Sequence, residues 1–143
     1  MKKLLPIIFI LIFSSCSKEV PSDQLVERNG TFYLVNSEVP FTGITVSYYE
    51  NGLLESKGNF KDGEPDGLWE YHHENGQFKS KGNYIDGKLD GLSEIYYENG
   101  QLEYKGNLKD GEFHGLLEEY FTNGQLKEKG NYKDGEFHGP REC

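Results

Sequence analysis

The sequence predicts an all-β fold, a single-layer, elongated antiparallel β-meander built from 24-residue hairpin repeats. Glycine shows the period most clearly, because four series spaced by 24 residues contain 17 of the 18 glycines. Asn-Gly and Asp-Gly dipeptides alternate along the chain at spacings of 11 and 13 residues, which leaves segments of strand length between them. Those segments lack the apolar period of a helix, so the repeats are predicted to be hairpins.

The glycine period also predicts the bounds of the repeats and the turns between their strands. Four repeats are expected at residues 43–66, 67–90, 91–114 and 115–138, after a degenerate first unit at 25–42, in an array that spans 25–143. Both dipeptides favour type I′ turns, which need a positive φ at two successive residues. The predicted turn residues are Asn51, Gly52, Asn75, Gly76, Asp86, Gly87, Asn99, Gly100, Asp110, Gly111, Asn123 and Gly124.

Two-residue loops at these dipeptides fix which residues face each other in neighbouring strands. A loop at Asn75-Gly76 places His73 opposite Phe78. The same arithmetic brings an acidic side chain opposite a basic one three times, a recurrence that a wrong register would not produce. The predicted pairs are Glu70 with Lys81, Glu94 with Lys105, and Glu118 with Lys129.

Glycines in the middle of strands also face each other in this register. Gly82 is placed opposite Gly91, and Gly106 is placed opposite Gly115. Because paired glycines weaken a strand unless something large lies over them, we expect neighbouring aromatic rings to cover both gaps.

Side chains alternate between the two faces of a sheet, so the register also sorts them. One face is predicted to carry most of the rings and is the candidate binding face, with Trp69, Tyr71, His73, Phe78, Tyr84, Tyr97, Tyr104, Phe113, Phe121 and Tyr132. The apolar residues placed beside them are Leu89, Ile95, Leu102, Leu108, Leu117, Leu126 and Phe137. The other face is predicted to be mainly charged, with Leu68, Leu92, Leu116, Tyr96 and Tyr120 as exceptions.

The ring-rich face needs a cover, because a domain normally buries its apolar surface against a second layer and no helix is predicted here. Three arrangements remain open: the sheet curls around its own rings, two copies pair, or the face binds a protein or a glycan. Most of these rings are also explained by a purely structural role, in which they pack on one another along the array.

The repeat unit resembles a known family. The stretch YYENGQLEYKGNLKDGEFHG, residues 96–115, combines Asn-Gly, Lys-Gly-Asn and Asp-Gly in a pattern that is similar to the variant MORN repeat of bacterial proteins. The resemblance covers residues 41–139 clearly and 25–40 weakly. It implies an elongated, twisted single-layer sheet of hairpins. Some bacterial relatives are named antitoxins in toxin–antitoxin pairs, and eukaryotic relatives are tied to membranes and scaffolding.

The N-terminus has the pattern of a secretion signal. Lys2 and Lys3 precede a ten-residue apolar run, 4–13, which is too short to span a bilayer and is followed by Ser14, Ser15 and Cys16. Small residues directly before a cysteine resemble the bacterial lipobox. That resemblance implies that the signal peptide, residues 1–15, is removed and that Cys16 then carries lipid, including palmitate. Membrane attachment is then through this lipid, and residues 16–24 are predicted to be a polar tether.

Charge and motifs exclude several classes of function. The formal net charge of −9 argues against nucleic acid as a partner. The sequence contains no G-x-S-x-G, P-loop or H-E-x-x-H motif, so no catalytic residue is predicted. His114 and His138 share a repeat position two strands apart, roughly 9–10 Å, which is too far for both to bind one metal. We therefore expect no metal and no cofactor.

Taken together, these features predict a non-catalytic lipoprotein of the bacterial cell envelope, with outer-membrane sorting expected because Ser17 follows Cys16. Its MORN-like array is expected to be a scaffold for protein–protein interaction. Two alternatives stay open: a module that binds an envelope glycan, and an antitoxin-like cytoplasmic protein if the signal is not used.

Overall fold

A computed structural model describes residues 19–140, so the predicted signal peptide, Cys16 and the first part of the tether lie outside the described residues. The strands are β1 (Val20–Pro21), β2 (Leu25–Arg28), β3 (Thr31–Leu34), β4 (Gly43–Tyr48), β5 (Leu54–Lys61), β6 (Glu64–Pro65), β7 (Gly67–His72), β8 (Phe78–Ile85), β9 (Lys88–Tyr96), β10 (Leu102–Lys109), β11 (Glu112–Tyr120), β12 (Leu126–Lys133) and β13 (Glu136–Phe137). A single 3-10 turn, Ser22–Gln24, lies between β1 and β2.

The described strands confirm the predicted meander. Strands β4, β5 and β7 to β13 each pair antiparallel with the next in that order and form one long sheet, and the short β6 pairs with β5 beside β7. The sheet is mixed because β1 pairs parallel with β4. Strands β2 and β3 form a separate two-stranded sheet.

The Asp-Gly turns have the predicted type I′ conformation. Asp86 and Gly87 have φ values of 47° and 76°, and Asp110 and Gly111 have 53° and 86°. Each of these turns also bonds to its neighbour in the preceding repeat; the Gly111 amide, for example, donates to the Leu89 carbonyl at 2.9 Å. The Asp-Gly edge of the sheet is therefore a stack of identical hairpin ends.

The prediction of two-residue type I′ turns at the Asn-Gly dipeptides is wrong. Gly76 has a φ of 85°, but Asn75 does not have a positive φ. The Gly76 amide donates to the His73 carbonyl at 2.8 Å, and the His73 amide donates to the Gln77 carbonyl at 2.8 Å. This is a three-residue loop, in which a type I turn is followed by a left-handed glycine. The Asn75 side chain stabilises it by accepting a 2.9 Å hydrogen bond from the Gln77 amide.

The longer loop changes the register at the start of the following strand. A β-bulge between Phe78 and Ser80 places His72, and not His73, opposite Phe78. The same shift places Tyr96 opposite Leu102, and Tyr120 opposite Leu126. Phe78, Leu102 and Leu126 therefore lie on the face opposite to the predicted one.

The predicted glycine pairs do not form. Gly82 lies opposite Ser93, and Gly106 lies opposite Leu117. The cause is an irregularity in the strand that follows each Asp-Gly turn, where Gly91 has a φ of 97°. The expectation that rings cover Gly82 and Gly106 is also wrong, because the nearest covering group at both is a leucine methyl.

The cover over these glycines differs along the array. A Cβ atom placed at Gly58 would come within 2.0 Å of the Trp69 ring, whereas at Gly82 or Gly106 it would meet a leucine methyl at 2.7 Å. The ring therefore fills the gap in the first repeat, and Leu89 and Leu117 fill the next two.

The three predicted charge pairs are confirmed as register partners. They also join into one row that crosses the sheet with alternating sign, formed by Lys57, Glu70, Lys81, Glu94, Lys105, Glu118 and Lys129. Within it, Lys81 and Glu94 form a direct ion pair at 2.9 Å. We call the face that carries this row the ladder face.

Residues 25–41 fold back over the start of the array and do not extend its sheet, whereas β1 lies in that sheet beside β4. Asn29 and Gly30 form a tight turn, with φ values of 54° and 82°, and the resulting β2–β3 hairpin packs on the opposite side of the sheet from the charge row. The Phe32 amide donates to the Gly63 carbonyl at 2.8 Å, which attaches the hairpin to the first Asp-Gly turn. We call this hairpin the lid, and the face it covers the lid face.

The lid corrects two expectations. Residues 20–24, predicted to be tether, belong to the fold, because Val20 pairs with Thr45 and the Thr45 hydroxyl donates to the Val20 carbonyl at 3.0 Å. Residues 25–34 are not the first unit of the long sheet. The shorter spacing of 22 residues between Asn29-Gly30 and Asn51-Gly52, where the repeats have 24, is the sequence signal of this difference.

Candidate functional site

The lid face is the candidate functional surface, and its start, where β4, β5 and β7 lie under the lid, is the core of the molecule. Phe41, Phe60 and Trp69 are buried there, and Leu25 and Phe32 of the lid pack against them. The ring centroids of Phe32 and Phe60 are 4.8 Å apart, and those of Phe60 and Trp69 are 5.1 Å apart at a right angle. A cavity of about 330 Å³ remains between the lid and the sheet.

Beyond the lid the same face is open. Six of its side chains form a shallow apolar surface, the open patch: Leu89, Ile95, Tyr104, Leu108, Phe113 and Leu117. Ile95 is 41% exposed and Phe113 is 39% exposed. Sequence analysis predicted every member of the open patch to lie on this face, and the structure brings them together.

The C-terminal end of the lid face becomes charged. Tyr104 donates a hydrogen bond to the Glu119 carboxylate at 3.0 Å, and Lys127 forms an ion pair with the same carboxylate. The hydrogen bond from Lys127 holds the pKa of Glu119 below its usual value, and the bond to Glu119 raises the pKa of Tyr104. These groups neutralise one another, so they close the open patch at one end without forming a free charged site.

Phe78 was predicted to belong to the ring-rich face. It lies on the ladder face because the three-residue Asn-Gly loop and the β-bulge after it shift the start of β8 by one residue. Its ring contacts His72 at 4.7 Å and Tyr96 at 6.2 Å, and the Lys81 ammonium lies 5.5 Å from its centroid. Burial favours the neutral form of Glu94, but hydrogen bonds from Lys81 and Tyr96 hold its pKa below the usual value. This cluster is a second group of rings that pack on one another and on Lys81.

His73, Tyr97 and Phe121 occupy one column at the Asn-Gly edge, where two of them hold neighbouring repeats together. The Tyr97 hydroxyl donates to the Tyr120 carbonyl at 2.8 Å, as the Tyr49 hydroxyl does to the His72 carbonyl at 2.6 Å. His73 Nε2 lies 2.9 Å from the Tyr96 carbonyl oxygen, an arrangement in which it is the donor. These side chains are therefore structural links, and only Phe121 lacks a polar group to form one.

The asparagines of the same loops form a parallel set of links. Asn51, Asn75 and Asn99 each donate from Nδ2 to a backbone carbonyl of the next loop, at 2.9, 2.7 and 2.8 Å. Asn therefore stabilises its own loop through Oδ1 and the adjacent loop through Nδ2, a function that turn preference alone does not predict.

The column at the Asn-Gly edge gives a test of the inter-repeat links. Tyr97→Phe removes one hydroxyl bond to a carbonyl and is expected to lower the free energy of unfolding by about 1 kcal/mol. Tyr48→Phe is the matched control, because Tyr48 is 57% exposed on the ladder face, and its change should stay within about 0.5 kcal/mol. Urea denaturation of both variants measures the difference, and equal values would contradict the link.

Two further observations concern metal binding and membrane-spanning helices. Within residues 19–140 no group of three or more His, Cys, Asp or Glu side chains is arranged to hold a metal ion. The same part of the chain has no helix with the length and hydrophobicity needed to cross a bilayer.

The sequence did not reveal which residues form the core at the start of the array. Phe60 was not assigned to the ring-rich face, and Leu25 and Phe32 were not expected to pack against it. The Asn-Gly dipeptide between two short segments that contain apolar residues is a hairpin signal, but it contains nothing that fixes where that hairpin docks.

Comparison with known proteins agrees with the repeat period. A family model described as MORN repeat variant matches the chain four times, at residues 41–62, 65–86, 89–110 and 113–134. No curated protein matches the chain. Each of the four matched segments contains one Asn-Gly loop and ends at the Asp of an Asp-Gly turn, the two features on which the stacking depends.

Proposed function

Because the chain belongs to the MORN repeat variant family, we propose that it is a non-catalytic lipoprotein of the cell envelope whose repeat array is a scaffold for another protein. MORN repeats suggest a scaffold for protein or membrane interaction, and the family is generally non-catalytic. The proposal has three parts: Cys16 anchors the chain, the partner is a protein, and the open patch is the surface that binds it.

The main support for the proposal is that the lid covers only the start of the lid face and leaves the rest of that face exposed. The first repeat is covered by the lid, whereas the open patch presents half-exposed rings and aliphatic side chains next to one another. Contiguous exposed apolar surface of this kind is typical of protein–protein interfaces. The ladder face is less suited to the role, because its central row of charges pairs within the sheet.

The composition of the open patch favours a protein over a glycan. Its side chains are hydrocarbon apart from the hydroxyls of Tyr104 and the neighbouring Ser93, and the Tyr104 hydroxyl is already bonded to Glu119. A sugar needs a hydrogen-bond partner for most of its hydroxyls, since burying an unpaired polar group costs free energy. An apolar protein surface has no such requirement.

Two leucine-sized residues on the same strand test the surface. Ile95 lies in the open patch and is 41% exposed, and Leu92 lies on the ladder face and is 44% exposed. Ile95→Asp is expected to weaken binding of the envelope partner at least about tenfold, whereas Leu92→Asp leaves it unchanged. Affinity capture from a native envelope extract, quantified for both variants, makes the comparison. Equal loss in the two variants would sink the assignment of the open patch.

The anchor is tested separately. Cys16→Ser removes the thiol that the lipid requires and is expected to move the protein from the membrane fraction to the soluble fraction of the cell. Cys143→Ser is the matched control and should leave the protein with the membranes. Continued membrane association of the Cys16 variant would contradict lipid anchoring, and the full-length chain in the cytoplasm would favour the antitoxin-like alternative.

A further inference from the structure

The cavity beneath the lid is a second feature of the lid face that the scaffold role of the open patch does not use. Its volume of about 330 Å³ is at the lower end of the range of ligand pockets. The sheet contributes the rings of Phe60, Trp69, Tyr71 and Tyr84 to its wall, and Phe32 of the lid closes the opposite side. Tyr71 is 37% exposed, so the cavity opens to solvent beside that ring.

The walls indicate an uncharged and mostly apolar occupant. Every side chain that lines the cavity lacks a formal charge. The polar side-chain groups are hydroxyls and the Trp69 indole N–H, and three of them are engaged already: Thr45 donates to the Val20 carbonyl, Ser56 is hydrogen-bonded to Ser47 at 2.7 Å, and the indole donates to the Asn59 carbonyl at 3.0 Å. A charged ligand would be buried without a partner, and a sugar would leave hydroxyls unpaired.

The arrangement of the rings indicates which apolar group fits. The Trp69 and Tyr71 rings are nearly parallel, with centroids 6.1 Å apart and an angle of 27° between their planes. Tyr84 meets Trp69 at the same distance but at 65°. A further flat ring in this corner would meet one neighbour in an offset stack and another edge-to-face, the two geometries that aromatic pairs prefer. Phe32 already makes such a contact with Phe60 from the lid.

We propose that the lid cavity is a socket for one neutral aromatic side chain of the partner protein, which enters beside Tyr71 and stacks in the corner formed by Trp69, Tyr71 and Tyr84. This deepens the proposed scaffold function and rests on it, because it assigns to the partner a Phe, Tyr or Trp anchor at one end of the lid face. Buried aromatic anchors in such pockets carry much of the binding energy of protein interfaces.

The test uses the full chain and a small probe, so it needs no knowledge of the partner. Trp69 is the only tryptophan of the chain, and its fluorescence therefore reports on the cavity directly. N-acetylphenylalaninamide is expected to change that fluorescence saturably, with a dissociation constant on the order of 1 mM for a ligand of this size.

Three variants define the site. Tyr71→Ala removes one wall at a partly exposed position and should weaken probe binding at least about tenfold. Tyr48→Ala, at a tyrosine that is 57% exposed on the ladder face and lies outside the cavity, should leave binding unchanged. Ser22→Phe places a ring at the exposed mouth of the cavity and should abolish binding without disturbing the core, which keeps the test decisive if Tyr71→Ala unfolds.

The outcomes separate the competing occupants. Absence of a saturable response to the aromatic amide, or an equal response in the Ser22→Phe variant, would overturn the proposal. Saturation by methyl glucoside or by octanol, with no response to the aromatic amide, would also overturn it in favour of a sugar or an alkyl chain. Because partner capture through Ile95 is measured independently, failure of the probe experiment is distinguishable from failure of the scaffold function.

Discussion

Gly58→Ala is expected to destabilise the protein by about 3 kcal/mol, because the added methyl group has no room. A Cβ atom at this position would lie 2.0–2.4 Å from three atoms of the Trp69 ring. That ring cannot move away easily, since Phe60 packs against it at 5.1 Å and its indole N–H donates to the Asn59 carbonyl at 3.0 Å. Urea denaturation followed by Trp69 fluorescence measures the loss.

Gly82→Ala is the matched control for that substitution. The glycine has the same place in the next repeat, but there the added methyl would meet the terminal Cδ2 of Leu89 at 2.7 Å. A leucine at the half-buried position 89 can change rotamer, so we expect a loss below about 1 kcal/mol. If both alanine variants lost the same stability, the tight packing of Trp69 over Gly58 would be wrong.

Trp69→Ala is expected to cost about 3–5 kcal/mol, the largest loss for a single side chain in the molecule. Trp69 is 8% exposed and contacts the rings of Phe60, Tyr71 and Tyr84. Its removal would open a cavity between the lid and the sheet and leave the Asn59 carbonyl without its indole donor. The lid should then detach before the remaining repeats unfold, because it packs only on this first part of the lid face.

Leu117→Ala provides the comparison for Trp69→Ala. Leu117 has the equivalent position two repeats further on, and its side chain is only half buried in the open patch. We expect it to cost about 2 kcal/mol or less, and proteolysis within the lid should be unchanged. Equal melting temperatures for the two variants would contradict the placement of the core under the lid at the start of the array.

The sequence predicted the architecture because its strongest signals are local. Asp86 and Gly87 both have the positive φ that the dipeptide predicts, and the charge pairs Glu70–Lys81 and Glu118–Lys129 have the predicted register. Each of these depends on residues within a single hairpin. A repeat then propagates a correct local assignment along the whole array.

The errors at the Asn-Gly loops have a common physical cause. Asn-Gly is compatible with a two-residue type I′ turn and with a three-residue loop that ends in a left-handed glycine. The choice depends on hydrogen bonds between loops, such as the bond from Asn75 Nδ2 to the Glu98 carbonyl, which joins neighbouring repeats and is invisible to a local pattern. The wrong loop moved Phe78 to the wrong face, because a shift of one residue reverses the side of the sheet.

The lid was missed because its docking is a long-range event. Phe32 and Gly63 are 31 residues apart in the sequence. The hydrogen bond between their backbones depends on the close approach that a glycine allows. A Cβ atom at Gly63 would meet the Thr31 methyl at 2.3 Å and the Phe32 carbonyl oxygen at 2.9 Å. The candidate site could therefore be predicted where it is made of repeats, but not where the first hairpin covers it.

The central claim is that the lid face, and not the ladder face, is the surface that binds a partner. The most direct measurement places a photoreactive benzoylphenylalanine at position 95 in one variant and at position 92 in another, three residues apart on β9 and on opposite faces. We expect cross-links to an envelope protein from position 95 and none from position 92. Cross-links from position 92 at equal or greater yield would contradict it.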